Sequence, residues 1–379
     1  MSFQPPGGPP PPPPPGGPPP PGNPYPPQGY PGPQQPWSQQ QWAGGPPPKK
    51  RGSGWKWGLG ALALLVVIGV TAAVTISFTG DGADGADGGP SPTGETFGLA
   101  SANDRGPANI ITEDPSCAAW GPINQTFVDV QKKGWGERDP NIGESDWTPQ
   151  QRQQYADVRE AARNVADESV QLAKLTPHRV MRELFEQYIA YSRAYSDAIP
   201  TYKPSDDHLA GVMNSTGSVI TYACAAITYK SALSRGSLVA APAAPSEFAA
   251  LTNPSEPSRF MTSEDSTCSD WYELLKQYAD DLRPWEAIDS AIPASDWTPE
   301  QRQIIDSTIP LMNDYADRIE EIGRRSTNPV VQDFAVFSSQ YRRAYVAALP
   351  TYSKADGWLD STAHRTMSLI YEACKAAGA

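Results

Sequence analysis

The part of this chain that can build a core is written twice. Ser145-Asp146-Trp147-Thr148-Pro149-Gln150-Gln151-Arg152 returns as Ser295-Asp296-Trp297-Thr298-Pro299-Glu300-Gln301-Arg302, with seven of eight positions identical at an offset of 150 residues. The offset holds downstream: Arg193-Ala194-Tyr195 matches Arg343-Ala344-Tyr345, Pro200-Thr201-Tyr202 matches Pro350-Thr351-Tyr352, and Cys224 matches Cys374. A chain built this way folds as two copies of one module, and any reading of either copy must also fit the other.

Each copy reads as four helices. Helix 1 is expected over about Cys117–Lys133 and Cys268–Leu282. Helix 2 follows the repeated Ser-Asp-Trp-Thr-Pro. Thr148 and Thr298 suit the N-cap, Pro149 and Pro299 the first helical position, and Gln151 and Gln301 the third, which makes a capping box. In helix 3, Leu184, Tyr188, Tyr191, Tyr195 and Ile199 recur every three or four residues, as do Phe334, Phe337, Tyr341, Tyr345 and Leu349, marking one face of an α-helix. Helix 4 carries Leu209, Val212, Met213, Val219, Ile220, Ala223 and Ile227, and its twin Trp358, Leu359, Leu369, Ile370 and Ala373. No stretch sustains the alternation of a strand. Four helices with short connections favour an antiparallel bundle.

Cys117 opens the first copy and Cys224 lies in its last helix; Cys268 and Cys374 hold the same places in the second. In an up-down-up-down bundle these two points lie at one end. The topology predicts disulfides Cys117–Cys224 and Cys268–Cys374, each worth roughly 4–5 kcal/mol by loop-closure entropy. Four cysteines allow three pairings. None shows the short Cys-x-x-Cys spacing of a metal or redox site.

Before the repeats the composition changes. Residues 1–48 hold 22 of the 42 prolines and almost no aliphatic side chains, so they are expected to stay disordered. Lys49, Lys50, Arg51 and Lys56 follow, and then residues 57–78 run without a charge. At about 1.5 Å per residue that stretch is long enough for a hydrocarbon core of about 30 Å. Basic residues before it and Asp81, Asp84 and Asp87 after it would set the N-terminus in the cytoplasm. The charge divides there too: residues 1–56 carry four basic and no acidic groups, +4, and the rest 26 basic and 42 acidic, −16. An acidic body argues against nucleic acid as its ligand.

The expected organisation is all-α: a disordered Pro-rich cytoplasmic tail over 1–56, a transmembrane helix over 57–78, and a flexible acidic, Gly-rich stalk over 79–112. Helical repeat 1 covers 113–234, an Ala/Pro/Ser linker 235–266, and helical repeat 2 267–379. The two repeats are tandem disulfide-closed four-helix bundles. The expected location is the cytoplasmic membrane, crossed once, with the C-terminal region extracytoplasmic. The Pro-Pro-Gly-Gly and Pro-Tyr-Pro-Pro-Gln-Gly-Tyr-Pro-Gly tail, the Lys49-Lys50-Arg51 flank and the apolar stretch together resemble the proline-rich single-pass membrane proteins of mycobacteria and related actinobacteria. The resemblance covers the first 80 residues or so and implies an envelope- or division-associated factor.

Catalytic apparatus is not visible. The three histidines fall opposite Asn328, Trp358 and Asn214 at the offset, so the copies share none. No Gly-rich phosphate loop, His-x-x-x-His pair or Gly-x-Ser-x-Gly elbow occurs. The shared acids Asp146/Asp296, Asp206/Asp356 and Glu183/Asp333 suit helix starts and solvated faces. No cofactor and no metal site is expected. Trp120/Trp271, Trp135/Trp285 and Trp147/Trp297 recur in pairs. They can pack the core, with Trp147 stapled on the stem of Arg152, or line a groove for a glycan, peptide or lipid headgroup. Arg193 and Arg343, each between two stripe tyrosines, can pair with an acid such as Glu183 or bind an anion. The candidate ligand-binding residues are therefore Trp147, Trp297, Arg193, Arg343, Tyr195 and Tyr345.

The function expected is non-enzymatic envelope binding or scaffolding: an envelope protein, glycan or lipid for the modules, and a cytoplasmic partner for the polyproline tail. Alternatives are a ligand sensor or carrier accessory, and a carboxylate-based cell-wall enzyme.

Overall fold

The structure is a computed structural model that describes residues 95–378. Ten α-helices and six short 3-10 turns account for its regular elements, and no strand occurs among the described residues. In the first module α1 spans Cys117–Gln131, α2 Pro149–Leu175, α3 Arg179–Ala198 and α4 Asp207–Thr228, followed by the short α5, Ser231–Gly236. In the second, α6 spans Cys268–Asp281, α7 Arg283–Glu286, α8 Pro299–Arg325, α9 Pro329–Ala348 and α10 Gly357–Ala376.

Helix starts follow the local chemistry. The Thr148 hydroxyl accepts from the Gln151 amide at 3.2 Å, and the Thr148 amide donates to the Gln151 side chain at 2.9 Å. Thr298 and Gln301 repeat both bonds at the same lengths. Two orphan donors are thus satisfied at the start of each 27-residue helix. Disulfides join Cys117 to Cys224 and Cys268 to Cys374, with Cα atoms 5.3 and 5.6 Å apart, and tie the first helix of each module to its last.

The transmembrane helix expected over residues 57–78 lies outside the described residues. Among those described, no helix is long and apolar enough to cross a membrane. The long helices are unsuited in composition: α2 and α8 alternate buried apolar residues with exposed charges, and even the enclosed α3 and α9 carry Arg182, Glu183, Asp333 and Arg342. The fold class is corrected accordingly to all-α, with no membrane-crossing helix among the described residues. The single-pass, cytoplasmic-membrane placement with an extracytoplasmic C-terminal region rested on that span and is withdrawn with it.

The two modules share one hydrophobic core. Among the described helices the most extensive pair is α4 against α10, the last long helix of each module. They run antiparallel: His208 near the start of α4 meets Glu372 near the end of α10, and Tyr222 near the end of α4 meets Trp358 at the start of α10. At the repeat offset His208 corresponds to Trp358 and Tyr222 to Glu372, so the seam has approximate two-fold symmetry.

Segments outside the bundles complete this joint. Part of the expected stalk, residues 95–112, lies against the modules, with Leu99, Ala102, Ala108 and Ile111 buried. The straps before the two modules then exchange contacts. Ile111 of the first strap donates its amide to Tyr341 of the second module at 3.3 Å. Tyr191 of the first module donates to the Met261 carbonyl of the second strap at 3.1 Å. Tyr191 and Tyr341 are repeat equivalents. The straps explain why α3 is buried without a break from Arg179 to Ser192, whereas its sequence marks only one apolar stripe: neighbouring helices cover the stripe, and straps cover much of the rest.

Candidate functional site

The six candidate residues fall in two kinds of place. Trp147 and Tyr195 belong to an aromatic cluster inside the first module. The Trp147 indole stacks on Tyr155 with centroids 3.7 Å apart and donates to the Ile142 carbonyl at 2.9 Å. Tyr202 touches Trp147 at 5.4 Å and Tyr195 at 6.5 Å, and its hydroxyl donates to the Pro140 carbonyl at 2.9 Å. Tyr195 accepts from the Trp135 indole at 3.2 Å. The second module repeats the plan with Trp297, Tyr345, Tyr352 and Trp285. Burial pushes the Tyr195 and Tyr345 phenols well above their ordinary range, so both are neutral hydrogen-bonding groups at physiological pH.

The expected staple of tryptophan on arginine appears in one copy. The Arg302 guanidinium lies 5.7 Å from the Trp297 ring. In the first module Tyr155 takes the ring face of Trp147, and Arg152 pairs with Glu144 instead. The reason is one position: Tyr155 corresponds to Ile305, which offers no ring.

Arg193 and Arg343 lie apart from these clusters. Arg193 pairs with Asp167 at 2.7 Å and donates to the Ser255 carbonyl at 2.6 Å. Arg343 pairs with Asp317 at 2.8 Å and Glu320 at 2.6 Å. Asp167 and Asp317 are repeat equivalents, so each arginine clamps the third helix of its module to the second. Glu183, expected as a possible partner, bonds Arg182 instead.

What the structure does assemble is a charged cluster between the modules. Glu183 and Asp333, related by the repeat offset, are both buried. Asp333 accepts two hydrogen bonds from Arg179, at 2.7 and 2.9 Å. This bidentate geometry fixes orientation as well as charge. Arg182, 1% exposed, lies 3.3 Å from Glu183 and 3.8 Å from Glu186. Asp104 of the first strap accepts from the Arg179 amide at 2.7 Å. Desolvation, then the charge of Asp333, raises the Glu183 carboxyl well above the ordinary carboxylate range. Desolvation also pushes Glu186 up to about 7, against the pull of Arg182. Sequence periodicity places these charges on the third helix without showing that the seam encloses them. The signal available was the recurrence of Glu183 as Asp333 inside an otherwise apolar element.

The other shared acids have local work. Asp206 accepts from the Lys203 amide, and Asp356 from the Ser353 amide, each at 2.8 Å. Asp356 also pairs with Arg235 across the seam at 2.9 Å. No group of His, Cys, Asp and Glu is arranged to hold a metal ion among the described residues. An open depression of about 260 Å³ on α2 is lined by Arg159, Glu160, Arg163 and their neighbours. Its arginines are already engaged, with the Ser196 carbonyl at 3.1 Å and with Asp197 at 2.6 Å.

Fold and seam together define a duplicated helical protein whose two disulfide-closed modules, with their straps, form one body. The chain belongs to the family described as Mycobacterial ESX-1 associated protein, whose sequence model matches residues 99–378. The match begins in the first strap, in keeping with a strap that is part of the fold. A relative from Mycolicibacterium smegmatis (strain MKD8), described only as an uncharacterised protein, is 47% identical over 342 residues, 89% of this chain and 90% of the relative. No solved structure matches the chain.

Proposed function

We propose that this chain is a non-enzymatic binding or scaffolding factor that works in association with mycobacterial ESX-1 secretion. Family membership supports the secretion-related setting. The observation that carries the scaffolding part is that the duplicated candidates are occupied within the fold: Trp147, Trp297, Tyr195 and Tyr345 by ring and carbonyl partners, Arg193 and Arg343 by carboxylates. What such a body offers a partner is its outer surface, held in a fixed arrangement by two disulfides and a common core. The proline-rich residues 1–48 supply a second recognition element, suited to aromatic-lined grooves that accept polyproline II.

The test is genetic and biochemical. Deleting the chain should reduce ESX-1-dependent secretion, and re-expressing it should restore secretion. Unchanged secretion in the deletion strain would remove the association. Restoration by the double variant Asp146→Asn, Asp296→Asn should match the natural chain, since these exposed shared acids lie at helix starts. Failure of that variant while it remains folded would favour a carboxylate enzyme.

A further inference from the structure

The charged cluster does not balance. Inside it two guanidiniums, Arg179 and Arg182, face three buried carboxyls, Glu183, Glu186 and Asp333. Asp104, at the margin with its carboxylate 3.9 Å from Arg179, adds a fourth acid. Pairing is uneven as well. Asp333 has both oxygens engaged by Arg179, whereas one oxygen of Glu183, one of Glu186 and two nitrogens of Arg182 are buried without a hydrogen-bond partner. A buried carboxylate with one oxygen left unsatisfied is costly even when the other meets a guanidinium, and taking up a proton removes the charge.

We propose that this cluster makes the seam between the two modules a pH-responsive joint, closed when Glu183 carries a proton and loosened when it ionises opposite Asp333. The placement of the acids makes the effect one between modules. Glu183 sits on α3 and Asp333 on α9, so their repulsion acts across the seam. The charged groups facing Glu183 are Arg179, Arg182 and Glu186 from its own helix and Asp333 from the other module, with Asp104 of the first strap reached through Arg179. The strap contacts at Ile111 and Phe260 close over these same two helices.

The sign follows from linkage. A carboxyl whose value is raised by folding favours the folded state while protonated. That advantage is intact below the ordinary carboxylate value of about 4.3 and is lost as pH rises through the folded value. Glu186, at about 7, places part of the loss near neutrality, and the raised Glu183 carboxyl adds a loss of the same sign.

The experiment compares the full natural chain with Glu183→Gln, which keeps the shape and removes the charge, at about pH 5.5 and about pH 8. Hydrogen exchange, corrected for intrinsic rates, should show the natural chain losing roughly tenfold protection at the Ile111 and Phe260 amides at the higher pH, while the α8 amides keep theirs. In Glu183→Gln that loss should shrink, and the melting temperature of the variant relative to the natural chain should rise from the lower pH to the higher. An unchanged melting difference, or protection falling equally at the straps and in α8, overturns the proposal. Should Glu183→Gln fail to fold, the strap-selective loss in the natural chain decides alone, and its absence overturns the joint.

Discussion

His208 and Glu372 meet across the seam at 2.8 Å, while the residues related to them by the repeat, Trp358 and Tyr222, meet at its other end as tilted rings 5.6 Å apart. One interface geometry is thus held by a polar contact at one end and by an aromatic one at the other. Duplication preserved the place of the contact and changed its chemistry.

The two ends should differ in strength. Trp358 is partly buried and packs on the core, so Trp358→Ala should cost about 2 kcal/mol, roughly half the loss of a fully buried tryptophan. His208 and Glu372 are 37% and 23% exposed, so His208→Ala should cost less than about 1 kcal/mol after solvent screening. Urea unfolding measures both, and equal midpoints would contradict the asymmetry.

Arginine pairs divide the same way. Asp333→Ala would leave Arg179 charged and enclosed, a loss of roughly 3–5 kcal/mol. Arg193→Ala and Arg343→Ala break better-solvated clamps and should each cost about 1 kcal/mol or less, with helical circular dichroism retained. If the exposed pair proves as costly as the buried one, the seam is not where the stability lies.

These contrasts show what the amino-acid pattern could convey. The capping boxes at Thr148 and Thr298 are short-range chemistry, legible because all their parts lie within four residues. The stripes of the third helices were legible because periodicity reports one face. The enclosure of Glu183, Arg182 and Asp333 was not, since it depends on straps arriving from about 70 to 230 residues away. The same limit applies to Tyr202 and Tyr352: their repetition marked them, but only the fold shows them joining Trp147 to Tyr195 and Trp297 to Tyr345. The stack of Trp147 on Tyr155 had no signal in the repeat, because Tyr155 belongs to one copy alone.

The disulfides close separations of 107 and 106 residues. Loop-closure entropy gives each a stabilisation on the order of 4–5 kcal/mol. Reduction should lower the unfolding midpoint sharply, and Cys117→Ser with Cys224→Ser should reproduce about half of the shift. Non-reducing peptide mapping should return only the two pairs within modules. A bond between Cys117 and Cys268 would contradict the arrangement.

His364 supplies a pH dependence opposite in direction to that of Glu183. Burial first, then the charges of Arg365 and Arg342, press its imidazole down to about 3. The folded chain therefore keeps it neutral while the unfolded chain takes a proton at about 6.5. A group depressed by folding contributes stability above its unfolded value and loses it as pH falls through the window between the two. For His364 that window runs from about 6.5 down to about 3. The Glu320 carboxylate, which Arg343 and Arg324 hold below its usual range against desolvation, adds an acid-sensitive contribution only under about pH 4.3. The equivalent of His364 in the first module is Asn214, which accepts a hydrogen bond from Gln131 at 2.8 Å, so the fold already carries an uncharged polar group at this place. Glu183 and Glu186 act in the opposite direction over this range in both proteins, so His364→Asn should gain stability relative to the natural chain as pH falls from about 6.5 to about 4.5. Thermal melts of both proteins across that range provide the measurement, and an unchanged slope above about pH 4.5 would place the acid sensitivity elsewhere.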